Sequence, residues 1–165
     1  MTDMVEVKMG GMEISSGEVG EMKTFVGSCV ALCLFDPVSK IAAMAHIMLP
    51  KKAGEKSVCE PSECGKYADK AFEIMLQKMT ALGANKDRIL AKIVGGAAIF
   101  SHESENGIFN IGARNIAAIK QILEEHHIVI ASEDIGENFG RWVKFNLVSG
   151  EITVTSALKK TETTI

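Results

Sequence analysis

The sequence predicts an α+β domain in which a mixed β-sheet carries two main helices. Three observations lead there. Two continuous apolar runs of strand length, CVALCLF (29–35) and IAAMAHIML (41–49), flank the turn-forming DPVS. Two stretches, 66–82 and 115–126, place apolar residues at helical spacing. The order of strands, helix, strand, helix, strands lacks the regular alternation of a doubly wound fold. A chain of 165 residues suggests one domain. We expect it over 1–157, with 158–165 a flexible tail.

Taken in order, VEVKM (5–9) and MKTFV (22–26) read as short strands around the Gly-rich stretch from Gly10 to Gly20. The two apolar runs read as a β-hairpin covered on both faces. Residues 51–65 follow directly on Pro50, are polar, hold Pro61 and read as a long loop. The first helix carries Tyr67, Ala71, Ile74, Met75 and Met79 on one face, with Gly83 as its stop. RILAKIVGG reads as a buried strand closing on Gly95-Gly96, and SHESENG as a loop. The second helix presents Ile116, Ile119, Ile122 and Leu123. IVIAS, RWVKFNLV and EITVT complete the strands.

Composition excludes several functions. The net charge of −3 offers no basic face for nucleic acid, and 5% aromatic residues leave little for base stacking. No apolar run reaches membrane-span length. Acidic residues stand where a signal peptide would be basic, so a cytoplasmic protein with its four cysteines as thiols is expected.

The hairpin carries the chemistry. If DPVS is its four-residue loop, Phe35 pairs with Lys40, and Cys29 falls directly opposite His46. Opposed side chains have β-carbons about 4.5–5.5 Å apart, within reach of a thiol–imidazole hydrogen bond. A shift of one residue in the loop would break that pairing. An adjacent imidazolium lowers a thiol's pKa, and the histidine can protonate a leaving amine. Gly27 lets the backbone approach a substrate, and N–H groups around Ser28 and Cys29 could form an oxyanion hole. The other reading is two buried core residues, since cysteine is among the most buried residue types. Spacing alone leaves both open.

Other candidates are weighed the same way. Cys33 shares the face of Cys29 and reads as core packing rather than as a resolving thiol. Cys59 and Cys64 in CEPSEC are spaced more loosely than a zinc knuckle and lack a second pair, so no metal is expected. His126 and His127 sit at a helix C-terminus, where a basic group complements the dipole. Gly95 and Gly96 fit either a close substrate approach or a tight strand exit. Lys66, Tyr67 and Asp69 read as a solvated helix start near the long loop.

Several separated blocks together resemble one family. GSCVALCLFDP, AMAHIMLP, KYAD, AKIVGGA, IGARN and GRWVKF occur in the order and approximate spacing of CheD, the chemoreceptor glutamine deamidase of bacterial and archaeal chemotaxis. The resemblance covers roughly residues 20–155. It implies a layered α/β/β sandwich similar to the catalytic domain of cytotoxic necrotizing factor toxins. It implies hydrolysis of receptor glutamine side chains through a thioester, without metal or organic cofactor. Cys29 matches the family nucleophile, His46 its base, and Thr24 the threonine that orients the histidine. Gly27, Ser28, Gly95 and Gly96 are then substrate-binding or oxyanion candidates, and Arg114 and Asn115 help shape a receptor or partner surface. The implied partners are methyl-accepting chemotaxis receptors, through which alone the protein would sit near a membrane, and the CheC phosphatase. An adaptor that keeps the fold but works by stimulating CheC is the alternative. Where the family often has a Gly-Gly step, this chain has Gly136-Glu137.

Overall fold

In chain order the elements are β1 (Asp3–Glu6), β2 (Met12–Ser16), β3 (Gly20–Val26), β4 (Val30–Asp36), β5 (Ile41–Ile47), α1 (Ala68–Ala81), β6 (Leu90–Gly95), α2 (Ile111–Glu125), β7 (Val129–Ile135), β8 (Arg141–Asn146), β9 (Ile152–Ser156) and β10 (Glu162–Thr164). The structure is a computed structural model and describes residues 3–17, 19–51, 64–99 and 110–165.

The strands form two sheets rather than one. The outer sheet runs β1-β3-β8-β9-β10, and the inner sheet β2-β5-β4-β6-β7. Each is mixed: β1 lies parallel to β3 and β6 parallel to β7, while every other pair is antiparallel. The two helices cover the free face of the inner sheet, which makes the layers helix, sheet, sheet. Alternation along β4 and β5 builds both interfaces. Val30, Leu32, Leu34, Ile41, Ala43, Ala45 and Ile47 face Phe72, Met75, Met79, Ile119 and Leu123 of the helices. Ala31, Cys33, Phe35, Ala42 and Met44 face Met22, Val26, Val143, Phe145, Ile152 and Val154 of the outer sheet. Both strands are buried from end to end, as the unbroken apolar runs predicted. Each large side chain taken out of water this way contributes about 1.5–3 kcal/mol.

Both helices form where their apolar spacing placed them. α2 starts four residues earlier than expected, because the Asn110 side chain caps it by accepting from the Ala113 N–H at 3.1 Å. Two strands were not anticipated. β2 lies in the Gly-rich stretch and adds to the sheet edge at β5. β10 occupies the tail expected to be loose: it pairs with β9, and Ile165 exchanges two backbone hydrogen bonds with Ile152.

The hairpin register differs from the expected one by two. Asp36, not Phe35, is the last paired residue, opposite Ile41, so the four-residue loop is 37–40. The cause is the Asp36 side chain, which is fully buried. Its carboxylate accepts from the Val38 N–H at 3.0 Å, the Asn85 N–H at 2.9 Å and both Nε and Nη2 of Arg88 at 3.1 and 2.9 Å. Burial alone would raise this carboxyl's pKa; the Arg88 guanidinium and the backbone donors outweigh burial and hold it well below the usual range. Lys40, at φ 59°, completes the turn. His46 therefore pairs with Ala31, and Cys29 lies just past the strand. A shift of two keeps side chains on the same face, whereas a shift of one would have reversed it.

Candidate active site

The chain crosses from the outer sheet to the inner one at Gly27–Ser28–Cys29, between Val26 of β3 and Val30 of β4. This bend is half-buried, and Cys29 packs against the inter-sheet core. The bend is held by its carbonyls. Gly96 N–H donates to Cys29 O and Ala97 N–H to Gly27 O, both at 2.9 Å. The N–H groups of Ser28 and Cys29 have no backbone acceptor among the described residues. Two adjacent N–H donors beside a thiol can stabilise an oxyanion.

His46 enters from β5. Its backbone is fixed on one side by the pairing with Ala31 and on the other by Gly10 and Gly11, with His46 N–H to Gly11 O at 3.0 Å and Gly10 N–H to His46 O at 3.1 Å. Its side chain turns into the space between the sheets and is 3% exposed. There it meets Thr24 of β3, whose Oγ1 lies 2.7 Å from His46 Nδ1. Thr24, 2% exposed, also donates its hydroxyl proton to Val7 O at 2.8 Å. A hydroxyl has one proton to give. Because Val7 takes it, Thr24 accepts from His46 Nδ1–H. The neutral imidazole is thereby set as the Nδ1–H tautomer, with the Nε2 lone pair free. His46 Nε2 is buried and has no hydrogen-bond partner among the described residues.

The structure thus brings Thr24 and His46 into contact across the two sheets. It puts Cys29 on the bend where those sheets join, on the same inter-sheet side as His46. The expected direct opposition of Cys29 and His46 is replaced by a diagonal relation, since Ala31 occupies the opposed position.

Gly95 and Gly96 are buried, and both have positive φ, 118° and 67°. A β-carbon on Gly95 would strike the Cys29 carbonyl oxygen, and one on Gly96 would strike the Ile116 side chain. They bring β6 close against the Cys29 bend and α2, which is the tight-exit reading. Gly95→Ala is expected to cost about 2–5 kcal/mol, from left-handed strain plus overpacking, and to displace Cys29. Urea unfolding measures the first effect and the alkylation rate of Cys29 the second; an unchanged rate in folded protein would refute the displacement. Beside them, Gly136 and Glu137 both take positive φ, 78° and 60°. Glu137 adopts the conformation that a glycine would adopt more easily.

Asn115 was expected on a partner surface and is instead fully buried, while Arg114 beside it is exposed. Asn115 Nδ2 donates to Met48 O at 3.1 Å and to Ser28 O at 3.3 Å. Its helical position next to the apolar stripe was the only sequence signal of burial. Lys66, at the start of the first helix, holds the exit of β5 through its carbonyl, which accepts from Met48 and Leu49 N–H at 2.9 and 3.0 Å. Cys33 is core, and burial, only partly offset by Lys92, pushes its thiol far above the ordinary range. The His126 ring packs at a tilt of 52° against Phe72, with centroids 4.8 Å apart. Cys59 and most of the 51–65 loop lie outside the described residues. Among the described residues no three His, Cys, Asp or Glu side chains gather as a metal site, and no helix is long and apolar enough to cross a membrane.

Comparison with known proteins adds identity to this geometry. The family model described as CheD chemotactic sensory transduction matches residues 48–156, a span that starts past Cys29 and His46. The chain is 40% identical over 146 residues to the chemoreceptor glutamine deamidase CheD of Halalkalibacterium halodurans, covering 88% of this chain and 89% of the relative. It is 41% identical over 129 residues to the chemoreceptor glutamine deamidase CheD of Thermotoga maritima, covering 78% and 76%. It is 39% identical over 153 residues to the probable chemoreceptor glutamine deamidase CheD of Methanococcus maripaludis, covering 92% and 94%.

Proposed function

Because the chain belongs to the CheD family, we propose that it hydrolyses glutamine side-chain amides of methyl-accepting chemotaxis receptors, with Cys29 as nucleophile, His46 as base and Thr24 orienting His46. The observation that carries the residue roles is the Val7–Thr24–His46 chain of hydrogen bonds, which leaves Nε2 as the free basic nitrogen.

The steps follow from that tautomer. Nε2 takes the Cys29 thiol proton as sulfur bonds to the glutamine δ-carbon. The carbonyl electrons move onto oxygen, which the Ser28 and Cys29 N–H groups stabilise. The C–N bond breaks, and nitrogen leaves as ammonia with the proton returned from Nε2. Water then attacks the thioester, giving a proton to Nε2. The C–S bond breaks, glutamate forms, and the thiol recovers its proton. One water is consumed and one ammonia released per glutamine. The test is mass mapping of a receptor fragment after incubation with the protein. Conversion of particular glutamines to glutamate with matching ammonia is expected, and no conversion would refute the reading.

Burial sets the resting state. It raises the Cys29 thiol and lowers the His46 imidazole from its ordinary 6.5. The pair therefore rests as neutral thiol and neutral imidazole, and the proton moves during attack. His46 is a base only when neutral, so the acidic limb of kcat/KM is expected below pH 6.5. Stability carries the same sign. The fold favours neutral His46, so this contribution is complete above the unfolded value and is lost as pH falls from there through the folded one. A ring-proton NMR titration of His46 in a Cys29→Ala variant reads the value directly; a midpoint at or above 6.5 would contradict the burial argument.

The receptor is the coarse partner that the family supports, and binding of the CheC phosphatase is a finer proposal. A pure adaptor would need neither a set tautomer nor a reactive Cys29. Modification of Cys29 by iodoacetamide that slows in His46→Gln is expected of the enzyme, where neutral His46 takes up the thiol proton during attack; a rate indifferent to that substitution is expected of the adaptor.

A further inference from the structure

The last pair of the β4–β5 ladder is Val30 with Ile47. Past it the two chains leave the ladder, one toward Cys29 and the other away from His46. The side-chain amide of Asn115 sits between them. Its two N–H bonds go to Ser28 O, one residue before Cys29, and to Met48 O, two residues after His46. Asn115 acts as one more rung beyond the end of the ladder, supplied from α2.

We propose that Asn115 is a positioning residue for the reaction, holding the Cys29 bend at a set distance from the His46 strand. This rests on the cysteine–histidine reading above. Three observations carry it. The residue is fully buried. Both protons of its amide are used on the two segments that bear the nucleophile and the base. Its Oδ1 is buried with no hydrogen-bond partner among the described residues, a cost that an apolar side chain at this position would avoid. The buried residues around it on α2, Gly112, Ile119 and Leu123, are small or apolar. A leucine would suit packing there; it could not tie two carbonyls together.

The rung matters because, among the described residues, the bend's own backbone hydrogen bonds run to Gly96 and Ala97 of the chain leaving β6, and its tie to β5 is the neighbouring Val30–Ile47 pair. Those bonds hold Cys29 against β6, and past the Val30–Ile47 pair Asn115 adds a direct tie between the bend and the segment leaving β5. The Cys29–His46 separation is a relation between the bend and β5, and Asn115 sets it. A displacement of about 1 Å in such a pair can lower a rate by up to a hundredfold.

The test uses the full chain and iodoacetamide, with the modified site mapped by mass, alongside ammonia release from a receptor fragment. In Asn115→Ala, kcat is expected to fall about ten- to a hundredfold with KM little changed. The pH profile of Cys29 alkylation is expected to move to higher pH, because a thiol without its base must ionise unaided. A purely structural role would lower thermal stability and leave both readouts unchanged in the folded protein. Wild-type kcat and a wild-type alkylation profile would overturn the inference, whatever the melting temperature. Should Asn115→Ala not fold, Asn115→Ser fits the site and keeps one donor. It is expected to lose part of the rate with a smaller profile shift, and wild-type values in that variant would be equally decisive. Cys29→Ala separates the two levels: if it keeps activity, the underlying reading fails; if it is inactive while Asn115→Ala is normal, only this inference fails.

Discussion

Cys29→Ala is expected to lose roughly a thousandfold or more of the ammonia-releasing rate on a receptor fragment while keeping its fold. The reason is chemical. Without sulfur there is no group on the bend able to form an acyl intermediate; the Ser28 hydroxyl beside it would have to attack as an alcohol with no base assigned to it. The structural cost is small, because Cys29 is half-buried and touches only the rim of the inter-sheet core. About 1 kcal/mol covers the lost contact. Cys29→Ser is expected to be nearly as inactive, since an alkoxide is far harder to reach than a thiolate. Circular dichroism melting and a timed ammonia assay are sufficient measurements. A Cys29→Ala protein that melts normally and keeps its rate would end the cysteine mechanism. Loss of rate together with loss of fold would instead argue that the bend, rather than the thiol, had been removed.

His46→Gln is expected to lower the rate about a hundred- to ten-thousandfold, the usual range for removing a positioned acid–base group. The residual rate should climb with pH, because a thiol already raised by burial must then ionise alone. Thr24→Val is the informative companion. It keeps the volume but removes the hydroxyl that accepts from His46 Nδ1 and donates to Val7 O. Two buried polar groups are left unpaired, each costing about 1–3 kcal/mol. His46 also loses what selects its tautomer, so a rate loss of about ten- to a hundredfold is expected on top of the instability. Thr24→Ser should restore both. If Thr24→Val is destabilised yet as fast as wild type, the hydroxyl serves the fold and not the histidine.

Much of this site was legible before folding was considered. Cys29 and His46 stand out because each is a reactive residue inside an apolar run, and the family blocks mark both. Their shared face follows from parity: a two-residue error in register still leaves residues of the same parity on the same side. The register itself was not legible. Asp36 looks like a turn residue, and it is one; it is also the last rung of the hairpin. It holds that place because Arg88 and Asn85, about fifty positions away, satisfy its buried carboxylate. β2 and β10 were missed for a related reason. MEISS and ETT are short, polar and largely exposed or half-buried, so only pairing with β5 and β9 makes them strands.

The sequence by itself determined which two strands are covered on both faces and where the two helices form, while the division of the strands into two sheets belongs to the tertiary structure. Two apolar runs with no polar alternation can only be strands covered on both faces, and two amphipathic stretches can only be helices lying on one of them. It also singled out Cys29 and His46 as the proposed reactive pair, through residue type and the family blocks. What the tertiary structure decided is every relation between side chains on different elements. Thr24 of the outer sheet meets His46 of the inner one, Gly95 meets the Cys29 carbonyl, and Asn115 of α2 bridges Ser28 and Met48. Periodicity reports which face a residue presents to its neighbours and says nothing of which neighbour arrives there. The tautomer of His46 belongs to this second kind: it is set by a hydroxyl from the other sheet whose only proton is already engaged by Val7.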